Sequence, residues 1–361
     1  MKKKIPTSII TGFLGSGKTT ILNDIINYSS FKNTLLIINE FGKISIDHHL
    51  IKKKSDDKIV LNNGCLCCSF SGDLVKTLDD TLNLKSKFDR IIIETSGLAD
   101  PIPIVQTIIS DQIISGKIKF KSLITVVDAV NFQNDLNNHL ENFKQITSAD
   151  IILLSKTDIS EKNKKLEVLK ELKRLNPHAE IFDKNLLNKA EIKKLFTNFN
   201  VKKLTIDKIE NNSKRNIKFL HKKISSNETD KVMSISVNIK QEITKDGLKL
   251  WLNALARFKS NNLLRMKGII RVGNKVLLIN AVQKVFHEPI VLDKWPFNDE
   301  KSKIVFITKN LKSNDLIKTI KVLNFKKQKK NKIDELTFSK KDYTNFVNAM
   351  NEFDALTTLD R

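Results

Sequence analysis

The chain has 361 residues, 40% of them hydrophobic and 29% charged, the balance of an ordinary soluble globular protein long enough for two cores of about 100–200 residues each. No uncharged apolar run reaches the ~18–20 residues that a membrane span needs. The three cysteines, crowded at Cys65, Cys67 and Cys68, exclude a disulfide scaffold and suit a reducing cytoplasm. Lys and Arg number 63 against 40 acidic residues, a net charge of +23 that admits two readings. One is an anionic partner, nucleic acid or lipid; the other is a lysine-rich chain with its charges spread over solvated faces. Only two Tyr and two Trp are available for base stacking, which favours the second and leaves clusters 52–54 and 326–330 as candidate contact points.

Met1-Lys-Lys-Lys before an apolar run has the outline of a secretory leader, but cleavage there would destroy the glycine-rich loop at 12–17. Residues 5–11 are apolar and β-branched, and predict a buried strand. Gly12, four residues, Gly17, Lys18 and Thr19 then match the phosphate-loop pattern G-x-x-x-x-G-K-S/T, and 19–28 predicts an amphipathic helix. Glycines let backbone N–H groups turn inward onto phosphate oxygens, and the helix adds its positive end. Gly12, Gly15, Ser16, Gly17, Lys18, Thr19 and Thr20 are therefore candidate nucleotide-phosphate contacts. Lys18 reaches for the terminal phosphates, and the Thr19 hydroxyl is placed for Mg²⁺.

Residues 33–39 predict a second strand that ends in Asn39-Glu40-Phe41-Gly42, with Asp47 in the loop beyond. Asp47 is a candidate for positioning Mg²⁺ or the attacking water, against the alternative of a solvated loop acid. A third strand at 58–61 leads into Gly64-Cys-Leu-Cys-Cys68, and a helix is expected over 71–82. Residues 88–94 predict a strand closing on Glu94, followed by Thr95-Ser96-Gly97. An acid at that position holds Mg²⁺ directly or through water, and the Gly97 N–H senses the γ-phosphate. Strands at 120–128 and 150–154 bracket one helix. Ser155-Lys156-Thr157-Asp158 comes next, where Asp158 can accept from the guanine N–H groups with the Lys156 stem over the base. A polar turn with Asp158 near a helix start is the competing reading. A helix over 160–175 is broken by Asn176-Pro177, an edge strand lies at 179–182, and 184–200 looks helical.

The first domain, 1–206, thus reads as α/β, a phosphate-loop NTPase with a doubly wound, mostly parallel sheet. Residues 207–230, rich in Lys, Asn and Ser and without period, read as a linker. Strands at 232–239, 263–272, 275–282 and 303–308, with helices at 245–260 and 314–323, make 231–324 a smaller α+β domain. Residues 325–361 form a charged extension with a further helix expected at 340–353.

On these motifs the chain resembles the CobW-type metallochaperone GTPases, the family of the cobalamin-synthesis protein and zinc-regulated GTP-binding proteins. The resemblance rests on Gly12-Phe-Leu-Gly-Ser-Gly-Lys-Thr-Thr20, Asn39-Glu-Phe-Gly42, Gly64-Cys-Leu-Cys-Cys68, Glu94-Thr-Ser-Gly97 and Ser155-Lys-Thr-Asp158. Arg265-Met-Lys-Gly268 and Gln283-Lys-Val-Phe-His287 extend it to about residue 310. It implies GTP hydrolysis coupled to handling zinc, or cobalt in some members, and a client metalloprotein or cobalt-insertion machinery as partner. Ser155 departs from the usual Asn of the guanine motif, no His-rich tract is present, and the extension after 325 has no counterpart in the family pattern.

Cys65, Cys67 and Cys68 offer up to three soft ligands to Zn²⁺ or Co²⁺, one fewer than a closed structural zinc site takes. That shortage suggests a transferable site completed by Glu40, by His48 or His49, by water or by a partner. A redox pair and simple burial are the alternatives. His287 reads as structural. The expected protein is a GTPase using GTP, Mg²⁺ and Zn²⁺; a basic nucleic-acid-binding or assembly protein with a regulatory nucleotide site is the competing class.

Overall fold

The structure, a computed structural model, describes residues 4–26, 31, 33–39, 58–61, 70–83, 88–197, 209, 218–221, 231–259, 262–311 and 313–326. The chain divides into two compact units, the first built within Met1–Val201 and the second drawing on Lys202–Lys223 and Asn227–Arg361.

The first unit holds strands β1 (Ile5–Gly12), β2 (Thr34–Asn39), β3 (Lys58–Leu61), β4 (Arg90–Glu94), β5 (Ile118–Asp128), β6 (Ile151–Ser155) and β7 (Glu180–Asp183). They form one sheet in the order β3-β2-β4-β1-β5-β6-β7, and every neighbouring pair is parallel. Parallel strands covered on both faces read as unbroken apolar runs rather than alternating ones. Ile91, Ile92 and Ile93 of β4 and Ile151 through Leu154 of β6 are all buried. Because β1 sits between β4 and β5, chain connections leave it in opposite directions, and a ligand crevice opens beyond its carboxyl end.

The connecting helices are α1 (Lys18–Ile26), α2 (Phe70–Asn83), α3 (Ile102–Ser110), α4 (Ile114–Lys117), α5 (Phe132–Asn138), α6 (Leu140–Ser148), α7 (Lys162–Leu175) and α8 (Lys189–Thr197). The single helix expected between β5 and β6 is two, because His139 takes an extended backbone (φ −132°, ψ 111°) between α5 and α6. Asn176, expected only to break a helix, is fully buried. Its Nδ2 donates to Ile146 O (2.8 Å) and Ala149 O (2.9 Å), and its Oδ1 accepts from the His178 and Ala179 amides.

The second unit contains β8 (Lys218–His221), β9 (Lys231–Ile239), α9 (Lys245–Lys259), β10 (Leu263–Val272), β11 (Lys275–Val282), β12 (Val285–Phe286), β13 (Ile290–Leu292), β14 (Ser302–Lys309) and α10 (Ser313–Thr319). The sheet is antiparallel in the order β12-β11-β10-β14-β9-β8, with β13 also on β11. Leu248, Trp251 and Leu255 of α9 pack on Met266, Ile270 and Phe306 to form the core. Alternation along β10 puts Ile269 in a separate cluster with Ile209, Leu278 and Phe297.

Two differences from the sequence reading concern this unit. The stretch 207–230, read as a linker, supplies buried Ile209 and edge strand β8, which pairs antiparallel with β9 from Lys218 to His221. An edge strand is fixed by backbone pairing more than by side-chain pattern, so its Lys-rich surroundings concealed it. Residues 314–323 split into α10 and a 3₁₀ turn at Ile320–Asn324. The expected helix at 340–353 lies outside the described residues.

Candidate nucleotide site

The site forms where β1 ends. Gly12 has φ +144°, and a Cβ there would lie 2.3 Å from Val126 O and 2.8 Å from Ser16 Oγ. Only glycine fits between the loop and β5 at that point. The loop turns through Ser16 N–H to Phe13 O (3.2 Å), and α1 begins at Lys18 with Ile21 N–H donating to Gly17 O (3.1 Å). The first amides of α1 therefore open onto the loop, where an anion finds both N–H donors and the positive end of the helix. Lys18 is buried and arcs back over the loop, its Nζ donating to Gly12 O (2.8 Å) and Phe13 O (3.2 Å). Gly15 and Thr20 are exposed, and Ser16 is buried.

Opposite the loop stands the end of β4. The Thr19 hydroxyl donates to Glu94 Oε1 at 2.9 Å, so the two residues picked out as a Mg²⁺ pair are in contact. A hydroxyl and a carboxylate are hard oxygen donors, the kind of set that fits Mg²⁺. Thr95 ties this strand end to β1 through its N–H to Ile10 O (3.0 Å) and its hydroxyl to Thr11 Oγ1 (2.7 Å). Gly97 then lies directly on the phosphate loop. A Cβ on it would meet Leu14 Cδ2, N and Cα at 2.6, 2.7 and 2.8 Å.

The end of β6 completes the crevice. The Ser155 hydroxyl donates to Ser16 O (2.7 Å), a buried bond from the guanine-type motif to the phosphate loop. Ser155 thus makes a tie that needs only one short donor, which accounts physically for a small residue there. Lys156 adopts a left-handed backbone (φ +56°), uncommon outside glycine, and its Nζ pairs with Asp128 Oδ2 at 2.8 Å. Asp128, at the end of β5, is buried and also accepts from the Val130 and Asn131 amides and from Asn131 Nδ2. Burial pushes its carboxyl up, but hydrogen bonds from Lys156, Asn131 and the two amides outweigh that and hold it below the ordinary carboxylate range.

Asp158 is exposed and accepts from Asn185 Nδ2 (2.8 Å). Thr157 donates to Asp183 Oδ1 (2.6 Å), and Lys165 pairs with Asp183 Oδ2 (2.5 Å). Burial raises the Asp183 carboxyl, while those partners bring it below its usual range overall. The Phe13 and His139 rings stack with centroids 4.4 Å apart. Sequence reasoning missed Asp128; the signal that marked Glu94, an acid closing a buried strand, was present there too.

Glu40, Asp47, His48, His49, Cys65, Cys67 and Cys68 lie outside the described residues. Among the described residues no group of three or more His, Cys, Asp or Glu could hold a metal ion. None of the described helices is long and apolar enough to cross a membrane.

Residues 6–183 match the family model of the CobW/HypB/UreG nucleotide-binding domain, and 232–323 match that of the cobalamin synthesis protein cobW C-terminal domain. The chain is 31% identical over 313 residues to the zinc chaperone YjiA of Escherichia coli, covering 84% of this chain and 93% of that protein. It is 34% identical over 162 residues to zinc-regulated GTPase metalloprotein activator 1 of Schizosaccharomyces pombe, covering 43% of this chain and 39% of that longer protein. The crystal structure of Zn(II)-bound YjiA GTPase from E. coli shares the fold, with a TM-score of 0.60 at 24% identity over 90% of this chain and 100% of that one.

Proposed function

The chain belongs to the CobW family of nucleotide-binding proteins, and from that premise we propose how it acts as a GTP-hydrolysing metallochaperone: it captures zinc at Cys65, Cys67 and Cys68 and releases it to a client metalloprotein. GTPases and zinc chaperones are what its relatives are named as. The observation that carries the nucleotide half is the contact of Thr19 with Glu94 across the mouth of the phosphate loop (2.9 Å). Two oxygen ligands, one from the first turn of α1 and one from the end of β4, meet there, beside Lys18 and the opening amides of the helix.

In this reading the loop from Gly12 to Thr20 binds the phosphates and Lys18 swings from Gly12 O to the terminal ones. Thr19 and Glu94 would hold Mg²⁺, which when bound neutralises charge on the phosphate oxygens. Lys156, steadied by Asp128, covers the base, and Asp158 reads its N–H edge. Asp47 is assigned to the loop that orders around the γ-phosphate.

The metal half rests on chemistry. Three thiolates suit Zn²⁺ and also bind Co²⁺; Glu40 is the proposed fourth ligand, leaving a site that an acceptor can empty. Thiols must lose protons to bind, so loading weakens at acid pH. Cys65–Cys68 come after β3, whose neighbour β2 lies beside β4. For the two sites to couple, loops ordered by GTP must act on the thiols that follow β3 in the chain. A coupling of about 3 kcal/mol between the sites changes zinc affinity roughly 150-fold, enough to turn retention into delivery.

The test is a Zn²⁺ titration of the wild type and Cys67→Ala with GTP analogue, with GDP and without nucleotide. The expected result is one tight thiol-dependent ion per chain, with an affinity at least tenfold different between the analogue and GDP forms. Equal affinity in all three states would defeat the coupling.

A further inference from the structure

We infer that Gln145 is a positioning residue for the nucleotide site, a buried anchor that keeps Gly97 against the phosphate loop before any nucleotide arrives. Gln145 lies on α6, 48 residues beyond Gly97 and outside the motifs, and has no exposed surface. Its Nε2 donates to Gly97 O at 3.0 Å and to Ala99 O at 2.9 Å. Carbonyl oxygens only accept, so the amide NH₂ must face them, and both of its hydrogens are committed to one loop. Its Oε1 is buried with no hydrogen-bond partner among the described residues.

The residue itself is held from behind. The Thr125 hydroxyl, on β5, donates to Gln145 O at 2.9 Å, a buried bond that fixes α6 against the sheet. In front, the loop it holds contacts Leu14 so closely that a single added carbon on Gly97 would overlap the Leu14 backbone. Gln145, Gly97 and Leu14 thus make one stack from helix to phosphate loop. Bonding the Gly97 and Ala99 carbonyls fixes the 97–98 and 99–100 peptide planes, and so restrains the turn that carries the Gly97 N–H. A loop ordered in advance loses less entropy when it meets the γ-phosphate. The anchor matters for a nucleotide with a third phosphate and little for one without it.

This inference rests on the proposed site, in which Gly97 meets the γ-phosphate. Methionine is close to glutamine in length and volume and cannot donate, so Gln145→Met removes both bonds while filling the space. The expected result is GDP affinity within about twofold of wild type, and affinity for a non-hydrolysable GTP analogue lowered about tenfold. KM for GTP should rise more than kcat falls. Thr125→Val, which loosens α6 from behind, should lower the melting temperature without changing the ratio of analogue to GDP affinity.

Parallel loss of both nucleotides in Gln145→Met, or an unchanged ratio, would overturn the anchor. Gly97→Ala separates this from the site itself. If it loses the analogue but keeps GDP while Gln145→Met loses neither, only the anchor is wrong; if it binds the analogue normally, the site assignment falls too. Should Gln145→Met not fold, amide exchange in wild type decides. Protection of 97–99 in the nucleotide-free protein supports the anchor, and free exchange there until the analogue is added refutes it.

Discussion

Asp128 shows how much one carboxylate can organise. It caps the turn after β5 through two amides and holds Lys156 in its left-handed backbone through an ion pair (2.8 Å). Asp128→Asn keeps an acceptor for the amides but removes the charge facing Lys156. We expect guanine-nucleotide affinity to fall about tenfold, roughly 1.4 kcal/mol, by calorimetric titration, with the fold retained. The pH dependence has a definite sign. A carboxyl held low in the folded state stabilises fully above its unfolded pKa of about 3.9, and that contribution is lost as pH falls through the folded value. Denaturant titrations should therefore show a wild-type advantage over Asp128→Asn that is constant above about pH 5 and shrinks in acid; an advantage that grew toward acid would refute the assignment. That Lys18, Thr19, Glu94 and Gly97 gather at one loop was legible in the sequence, because the proposed chemistry asks for those residue types at a fixed spacing. Ser155 on Ser16 and Asp128 on Lys156 were not, since those contacts exist only once separate strand ends are brought side by side.

At the scale of elements, β1, β4, β5 and β6 were readable because strands buried on both faces must be apolar throughout, which leaves little ambiguity. Edge strands β8, β12 and β13 were not, since backbone pairing defines them and their side chains keep no strict alternation. Helix α9 was readable from its stripe, and Trp251 is its anchor. That side chain is fully buried, lies edge-on to Phe306 with centroids 6.1 Å apart, and donates its Nε1–H to Thr319 Oγ1 (2.9 Å). Trp251→Ala should destabilise the second unit by about 3–5 kcal/mol, the usual cost of emptying an aromatic core site. Both tryptophans of the chain, Trp251 and Trp295, belong to this unit. In the variant Trp295 fluorescence should move to lower denaturant, while GTP-analogue binding at low temperature survives. A loss of under 1 kcal/mol would show that α9 is not the keystone of that core.

For the whole molecule, the net charge of +23 poses the question of an anionic partner. Part of the described positive charge is internally answered: Lys156, Lys165 and Lys303 pair with Asp128, Asp183 and Asp299. We expect RNA or duplex DNA to bind only at low salt and to dissociate near physiological ionic strength, as counterion release predicts for diffuse lysines. Nanomolar binding that persists at that salt in an anisotropy assay would restore the nucleic-acid reading. The two-unit plan, a parallel phosphate-loop sheet and an antiparallel α+β unit, reflects the alternation of strands and helices up to β7 and its absence afterwards. The boundary itself was blurred because 207–230 has a linker's composition yet contributes to the second core.

Asn176 carries a consequence for how the first unit ages. Asparagine side chains deamidate when the following residue's backbone nitrogen attacks their carbonyl carbon. Pro177 supplies a nitrogen with no hydrogen to lose, so that ring closure is blocked at this joint. Conversion to aspartate would have turned an NH₂ that satisfies the carbonyls of α6 into a second acceptor facing them. The proline that ends a helix also protects the amide that clasps its neighbour, over the lifetime of the protein.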